Sequence, residues 1–143
     1  MIFRKPTQAD LEYVRDHPLE GSIKDYPHID IQDDNCYAVE YEGKLVAVGG
    51  LNMWREGVGV LWLALTAECK RTGVHGLRAL YAIQEKTNYL IEVNKLWRAE
   101  ATVRADFPQA IKMIEFLGFQ REGTRRMFFP DKTDGYLYSR ITL

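Results

Sequence analysis

The chain has 143 residues, of which 46% are hydrophobic and 27% are charged, with a formal net charge of -1. This length and apolar content predict one domain, residues 1–143, with a core of its own. A charge so close to neutral provides no long-range attraction to polyanions, so neither nucleic acid nor a membrane surface is predicted as a partner.

Targeting signals and metal-binding patterns are not evident in the sequence. No apolar run could span a bilayer, and Met1–Lys5 is too short and too quickly charged for a signal peptide. Cys36 and Cys69 stand outside any CxxC spacing, which favours neither a zinc site nor a disulfide scaffold and predicts a reduced, cytoplasmic compartment. His28 and the aspartates near it have no spacing that converges on a metal, so we predict no metal site.

The first half of the chain predicts a strand, a helix and a β-meander. The strand is Ile2–Arg4, and the helix begins at Thr7, which forms a capping-box spacing with Asp10. An irregular, proline-containing segment follows to Asn35. Alternating hydrophobicity then predicts three antiparallel strands, Tyr37–Tyr41, Lys44–Gly49 and Val58–Leu65, the first two joined by a Glu42-Gly43 turn.

The second half predicts two helices and three strands. Apolar residues at helical spacing follow Gly73, with Lys86–Asn88 as a candidate interruption. Trp97–Val103 alternates as a strand that pairs in parallel with Val58–Leu65 or diverges from it. A short helix is predicted with Asp106 as its N-cap and Gly118 at its end. Two final strands are predicted at Phe119–Phe129 and Tyr136–Leu143. The fold class is therefore α+β, with a mixed, mostly antiparallel sheet of six to seven strands flanked by helices.

The segment between the strand Val58–Leu65 and the long helix is a candidate anion-binding loop. It contains two glycines and three basic side chains in the run Lys70, Arg71, Thr72, Gly73, Val74, His75 and Gly76. Glycines allow the backbone to turn its N–H groups inward, and the helix that follows adds the positive end of its dipole. These features favour binding of a pyrophosphate over an ordinary charged turn.

The order of elements, this loop and the run Ile114–Phe119 resemble the GNAT superfamily of N-acetyltransferases over nearly the whole chain. In that family a Q/R-x-x-G-x-G/A loop holds the pyrophosphate of acetyl-CoA. Lys70 and Gly73 match this pattern with His75 at the second small position, or Arg71 and Gly76 match its ends. The resemblance also implies that peptide groups of Leu63, Ala64 and Leu65 bind the pantetheine arm.

A second family motif, N-x-x-A-x-x-x-Y-x-x-x-G-F, resembles the helix after the parallel strand. Ala110, Gly118 and Phe119 match it, but Phe107 stands at the asparagine position and Ile114 at the tyrosine position. In the family that tyrosine often protonates the departing thiolate. The resemblance therefore implies the fold more strongly than the activity.

The reaction that the resemblance implies is acetyl transfer from acetyl-CoA, as cosubstrate, to a primary amine. An amine that is protonated at neutral pH has to lose a proton before it attacks, so a base is required. Glu56 and Glu100 are the candidate bases, with Glu68 lying toward the pyrophosphate, and Tyr136 and Tyr138 are the candidate acids. Each also has a structural interpretation, as a solvated carboxylate or a packed aromatic side chain.

Two functions remain open at this point. The first is an acetyl-CoA-dependent N-acetyltransferase that acts by direct transfer in a ternary complex. The second is a catalytically degenerate protein of the same fold with a binding or structural role, such as a phage virion component. The acceptor is undetermined, and the sequence leaves a homodimer open.

Overall fold

The computed structural model of the chain describes residues 1–19, 31, 33–71 and 77–142. Its strands are β1 (Ile2–Arg4), β2 (Cys36–Tyr41), β3 (Lys44–Arg55), β4 (Val58–Leu65), β5 (Arg98–Arg104), β6 (Gln120–Arg125) and β7 (Gly135–Ile141). Its helices are α1 (Gln8–Asp16), α2 (Glu68–Arg71), α3 (Leu77–Val93) and α4 (Pro108–Phe116). The predicted α+β class and element order are confirmed.

The seven strands form one mixed sheet in the order β1-β2-β3-β4-β5-β7-β6. The β4–β5 pair is parallel, as the intervening helix requires, whereas β1–β2, β2–β3, β5–β7 and β6–β7 are antiparallel. The chain forms two compact units, Met1–Leu51 with Trp62–Ile83 and Asn52–Leu61 with Gln84–Leu143. Strands β3 and β4 contribute residues to both.

In the first unit, local sequence signals explain the elements well. Thr7 and Asp10 form the predicted capping box of α1, since each side chain accepts from the other residue's backbone N–H. Glu42 and Gly43 both have positive φ, 52° and 77°, as a two-residue hairpin turn needs. Buried residues of β2, β3 and β4 form two apolar clusters, around Ala38, Val48 and Ala64 and around Val39, Val46 and Ala47.

In the second unit, β5 has different pairing on its two sides. It pairs with β4 over three residues, Val58–Val60 with Arg98–Glu100, and with β7 along its full seven residues. Strand β6 pairs with β7 with a shift in register between Arg121 and Gly123. Of the helices that the structure describes, none is long and apolar enough to cross a membrane.

The strand predicted at Phe119–Phe129 ends at Arg125. For two other predictions that were wrong, the reason is identifiable. Strand β3 does not end at Gly49 but continues to Arg55, because its glycines allow close approach: a Cβ on Gly50 would lie 2.3 Å from the Asn35 carbonyl oxygen. Asp106 does not cap α4. The N-cap is Phe107, without a side-chain hydrogen bond, because Arg104 binds both carboxylate oxygens of Asp106 at 3.0 and 3.1 Å. Lys86–Asn88 does not interrupt α3.

Candidate functional site

The predicted anion-binding loop falls largely outside the described residues. Lys70 and Arg71 belong to the one-turn helix α2, and α3 begins at Leu77. Thr72, Gly73, Val74, His75 and Gly76 are not described, so their contact with a pyrophosphate remains a prediction. The loop does connect β4 to a helix of 17 residues, as the prediction requires.

The end of β4 is paired on both edges. The Thr66 N–H donates to the Val46 carbonyl on one edge (3.0 Å), and the Leu65 carbonyl accepts from the Leu19 N–H on the other (3.0 Å). Because alternate residues of a strand direct their peptide groups to the same edge, Leu63 faces the edge of Leu65, and Ala64 faces the edge of Thr66. The pantetheine contacts predicted for Leu63 and Leu65 therefore involve one edge and those for Ala64 the other.

Two reactive side chains lie just beyond β4. Glu68 is 6% exposed, and one of its carboxylate oxygens accepts from the Tyr13 hydroxyl of α1 at 3.2 Å. The Cys69 thiol donates to the Val46 carbonyl, and burial raises the pKa of this thiol. A thiol in this environment is a weak nucleophile, so Cys69 is best described as part of the packing.

Strand β5 directs its charged side chains to a single face. Tyr138 pairs with Ala101 and its hydroxyl reaches α4, so the neighbouring pair, Glu100 and Ser139, lies on the opposite face of the sheet. Arg98, Glu100, Thr102 and Arg104 alternate with Ala99, Ala101 and Val103 along the strand. We call the face of β5 and β7 that carries these four residues and Ser139 the arginine face.

Arg98 organises the carboxylates of the arginine face. Its guanidinium donates to both oxygens of Glu122, at 2.9 and 2.7 Å, and its Nε donates to Glu100 Oε2 at 2.9 Å. The Ser139 hydroxyl also donates to Glu122. The guanidinium and, secondarily, this hydroxyl lower the pKa of Glu122 to about 2, so Glu122 is ionised at neutral pH.

Glu100 is the more buried of the two carboxylates that Arg98 binds. Its side chain is only 11% exposed, and it stands at the last parallel pair between β4 and β5, opposite Val60. Oε2 is bound by Arg98. Within the described part of the chain no donor hydrogen-bonds to Oε1, and Arg125 Nη2 lies 3.9 Å from it. One carboxylate oxygen is thus fixed and the other is available to an incoming donor.

The other three candidates lie elsewhere. Glu56 is exposed in the β3–β4 turn, beyond the amino end of β4. Tyr136 is half-buried, with the Arg121 guanidinium 3.4 Å above its ring. Tyr138 is 1% exposed and donates to Glu115 at 2.8 Å; burial, and then Glu115, raise its pKa to about 12. The structure therefore brings Glu100 into a charged cluster but gathers neither Glu56 nor the tyrosines there.

The two residues that depart from the second motif are apolar in their surroundings as well as in type. Ile114 is 5% exposed and belongs to the core beside Leu117 and Phe119. Phe107 is half-buried at the start of α4. No hydroxyl or amide is available at either position.

Three members of this cluster were not predicted from the sequence: Arg98, Glu122 and Arg125. The signal for Arg98 was present, because charged residues at alternate positions of β5 place it on the same face as Glu100. Glu122 and Arg125 come from β6, whose register shift at Arg121–Gly123 alters the alternation of its side chains. Sequence alternation alone could not assign them to this face.

Comparisons with solved structures agree on the fold. A ribosomal-protein-alanine N-acetyltransferase from Brucella melitensis superposes with a TM-score of 0.69 at 16% identity, covering 99% of this chain and 100% of that one. A GNAT family acetyltransferase from Bacillus anthracis gives 0.71 at 20% identity, with coverages of 97% and 93%. A mutant spermidine N-acetyltransferase from Vibrio cholerae gives 0.72 at 16% identity, with coverages of 99% and 95%.

No protein-family model matches the chain, and no curated protein matches it in sequence. The structural matches span nearly the full length of both partners in each comparison, and their topology agrees with the seven-stranded mixed sheet described above. The resemblance inferred from the sequence is thus confirmed at the level of architecture. The chain has the fold of the GNAT superfamily of N-acetyltransferases.

Proposed function

We propose that the chain is an acyltransferase that transfers the acetyl group of acetyl-CoA to a primary amine by direct attack in a ternary complex. The observation that carries this proposal is Glu100, a carboxylate with one oxygen fixed by Arg98 and the other without a hydrogen-bond donor among the described residues. Its position at the end of the three-pair parallel register supports the same role. We propose acetyl-CoA as the cosubstrate because the chain has the fold of N-acetyltransferases.

In the proposed reaction Glu100 accepts a proton from the acceptor ammonium, directly or through one water molecule. The neutral amine attacks the thioester carbon, forming the C–N bond. The nitrogen then gives up its second proton, the C–S bond breaks, and the departing CoA thiolate takes up that proton, while Glu100 passes its own proton to solvent. Arg98 holds the Glu100 carboxylate in place. A positioned base of this kind contributes about 10²–10⁴-fold to rate.

The cosubstrate would run along the edge of β4 that Leu63 and Leu65 share, with its pyrophosphate at Lys70–Gly76. The peptide groups of Leu63, Ala64 and Leu65 remain the proposed contacts of the pantetheine arm. We also propose that the protein acts in the cytoplasm. It could act there as a monomer or as a homodimer.

Calorimetric titration with acetyl-CoA, followed by detection of CoA release with a panel of amines, tests this proposal. Binding heat, a raised melting temperature and amine-dependent release are expected. If millimolar acetyl-CoA gave no binding heat and no shift in melting temperature, this proposal would be contradicted.

The second candidate function is that of a catalytically inactive binding or structural protein of the same fold. One observation favours it. The motif positions that are asparagine and tyrosine in active family members are Phe107 and the buried Ile114. Under this alternative the chain binds no acetyl-CoA or releases no CoA with any amine. The same titration therefore separates the two.

A further inference from the structure

Arg125 lies beside Glu100, and its contacts with the described residues are few and long. The guanidinium of Arg125 lies 3.9 Å from Glu100 Oε1 and 5.2 Å from the centre of the Phe128 ring, and its side chain is 42% exposed. It hydrogen-bonds to no residue that the structure describes. An arginine stacked on an aromatic ring, with its donors unspent, is suited to two-point binding of a carboxylate or phosphate.

The other arginines of this face are already neutralised. Arg98 binds Glu100 and Glu122, and Arg104 binds Asp106 (3.0 Å) and Asp131 (2.6 Å). Glu122 is likewise consumed, because both its oxygens accept from Arg98. Among the described residues of this face, the charges without a close partner are therefore Glu100 Oε1 and the Arg125 guanidinium, which form only a long ion pair with each other.

The position of Arg125 is defined by the loop that follows it. Phe128 and Phe129 close over Gly135 of β7, where a Cβ would lie 2.6 Å from Thr102, 3.3 Å from Phe129 and 3.5 Å from Phe128. Phe129 is 5% exposed, and its N–H donates to the Thr133 carbonyl. The Phe128 ring over which Arg125 lies is thus next to Gly135 of β7 and meets the buried Phe129 ring edge-on, with 5.1 Å between the ring centres.

From this arrangement we propose that the acceptor is a primary amine that also carries an anionic group on a short spacer, and that Arg125 binds that group while Glu100 receives the amine. This inference rests on the proposed function and names its substrate class. A polyamine is disfavoured, because its second ammonium would have to lie beside Arg125 in place of an anion. Arg125 is then a specificity-determining residue, and Glu100 is the base.

The test uses the full chain, acetyl-CoA and acceptors that share a short alkyl amine but differ at the far end. These are γ-aminobutyrate, putrescine and butylamine, with phosphoethanolamine against ethanolamine as the phosphate arm. We expect kcat/KM to favour the anionic acceptor over its matched partners by about tenfold or more, mainly through KM. A preference confined to one arm identifies the anion as carboxylate or phosphate.

Variants assign this preference to Arg125. Arg125→Ala should remove the preference, Arg125→Lys should keep part of it, and Arg125→Glu should turn it toward putrescine. Arg15→Ala, which changes an exposed arginine of α1 paired with Asp16, is the control and should keep the full preference. Butyrate, which lacks the amine, should inhibit the unmodified chain competitively against the acceptor and lose this effect in Arg125→Ala.

The outcomes distinguish the two proposals. Turnover of putrescine at an equal or higher kcat/KM, or a preference for anions that survives Arg125→Ala, would overturn the inference about the acceptor and leave acetyl transfer standing. Absence of transfer to every amine would overturn the proposed function, and this inference with it.

Discussion

The Arg98 guanidinium binds both oxygens of Glu122 at 2.9 and 2.7 Å, joining β5 to β6 across the intervening strand β7. This ion pair and the Ser139 hydroxyl lower the pKa of Glu122 to about 2 from the usual value of 4.5. Because the folded pKa is the lower one, the stabilisation is present above the unfolded pKa and is lost as pH falls toward the folded value. The pH window of this loss is therefore about 4.5 to 2.

We predict that Glu122→Gln lowers the melting temperature at pH 7 and that the difference from the unmodified chain shrinks as the pH falls through this window. Thermal unfolding followed by circular dichroism at several pH values measures it. Glu56→Gln, a change in an exposed turn carboxylate, should give a small difference throughout. A difference for Glu122→Gln that stays constant down to the acid end of the window would contradict the role of the ion pair.

Gly57 is expected to tolerate no side chain. Its φ is +78°, and a Cβ there would lie 2.2 Å from the Trp97 ring. Gly57→Ala should therefore cost roughly 1–3 kcal/mol in overpacking, added to about 1 kcal/mol of backbone strain. Gly43 has a φ of +77° but nothing within 4 Å of the added Cβ, so Gly43→Ala reports the strain alone. Urea unfolding of both variants should show the larger loss for Gly57→Ala, and equal losses would exclude the Trp97 contact as a cause.

Arg104 is expected to hold the loop between β6 and β7. Its guanidinium donates to Asp131 at 2.6 Å and to Thr133 at 3.0 Å, and it lies 5.3 Å from the centre of the Phe129 ring. These bonds lower the pKa of Asp131. We predict that Arg104→Ala speeds hydrogen exchange several-fold at the amides of Phe128, Phe129 and Lys132, which bond within the loop. Unchanged exchange at these amides would show that the loop is held by packing alone.

Tyr138 is expected to act in packing and not in proton transfer. Its hydroxyl donates to Glu115, and burial raises its pKa to about 12, so it stays protonated at neutral pH. Tyr138→Phe should cost about 1 kcal/mol for the lost hydrogen bond and leave kcat within a few-fold. Because the folded pKa is raised above the usual 10.0, the unmodified chain should also lose stability between pH 10.0 and about 12, a loss that Tyr138→Phe lacks. A large fall in kcat would restore Tyr138 as the acid.

Most of the fold could be predicted because local signals and the global topology agree. The capping box of Thr7 and Asp10, the Glu42-Gly43 turn and the helix that ends before Gly118 are each specified by residues close in sequence. The predictions that were wrong depended on side-chain and inter-strand contacts that the local pattern does not specify. The sequence around Asp106 has the pattern of an N-cap. In the structure, however, the Asp106 carboxylate is bound by Arg104, and Phe107 is the N-cap of α4.

The candidate site was predictable only in part. Glu100 was found because a strand carries it toward the expected reaction centre, but its partner Arg125 comes from β6 beyond a register shift. Glu56 was chosen for its nearness to β4 in sequence, and its exposed position in the turn depended on how far β3 extends. The loop at Gly73–Gly76 remains a prediction, since it lies outside the described residues.

The most direct test of the central claim is the rate of acetyl transfer by Glu100→Gln beside Glu56→Gln, measured as CoA release with a saturating amine. Both changes remove one carboxylate and keep its shape. If Glu100 is the base, kcat should fall by about 10²–10⁴-fold in Glu100→Gln while acetyl-CoA binding is retained. The kcat of Glu56→Gln should be unchanged. Equal activity of the two variants, or loss of activity in Glu56→Gln alone, would contradict it.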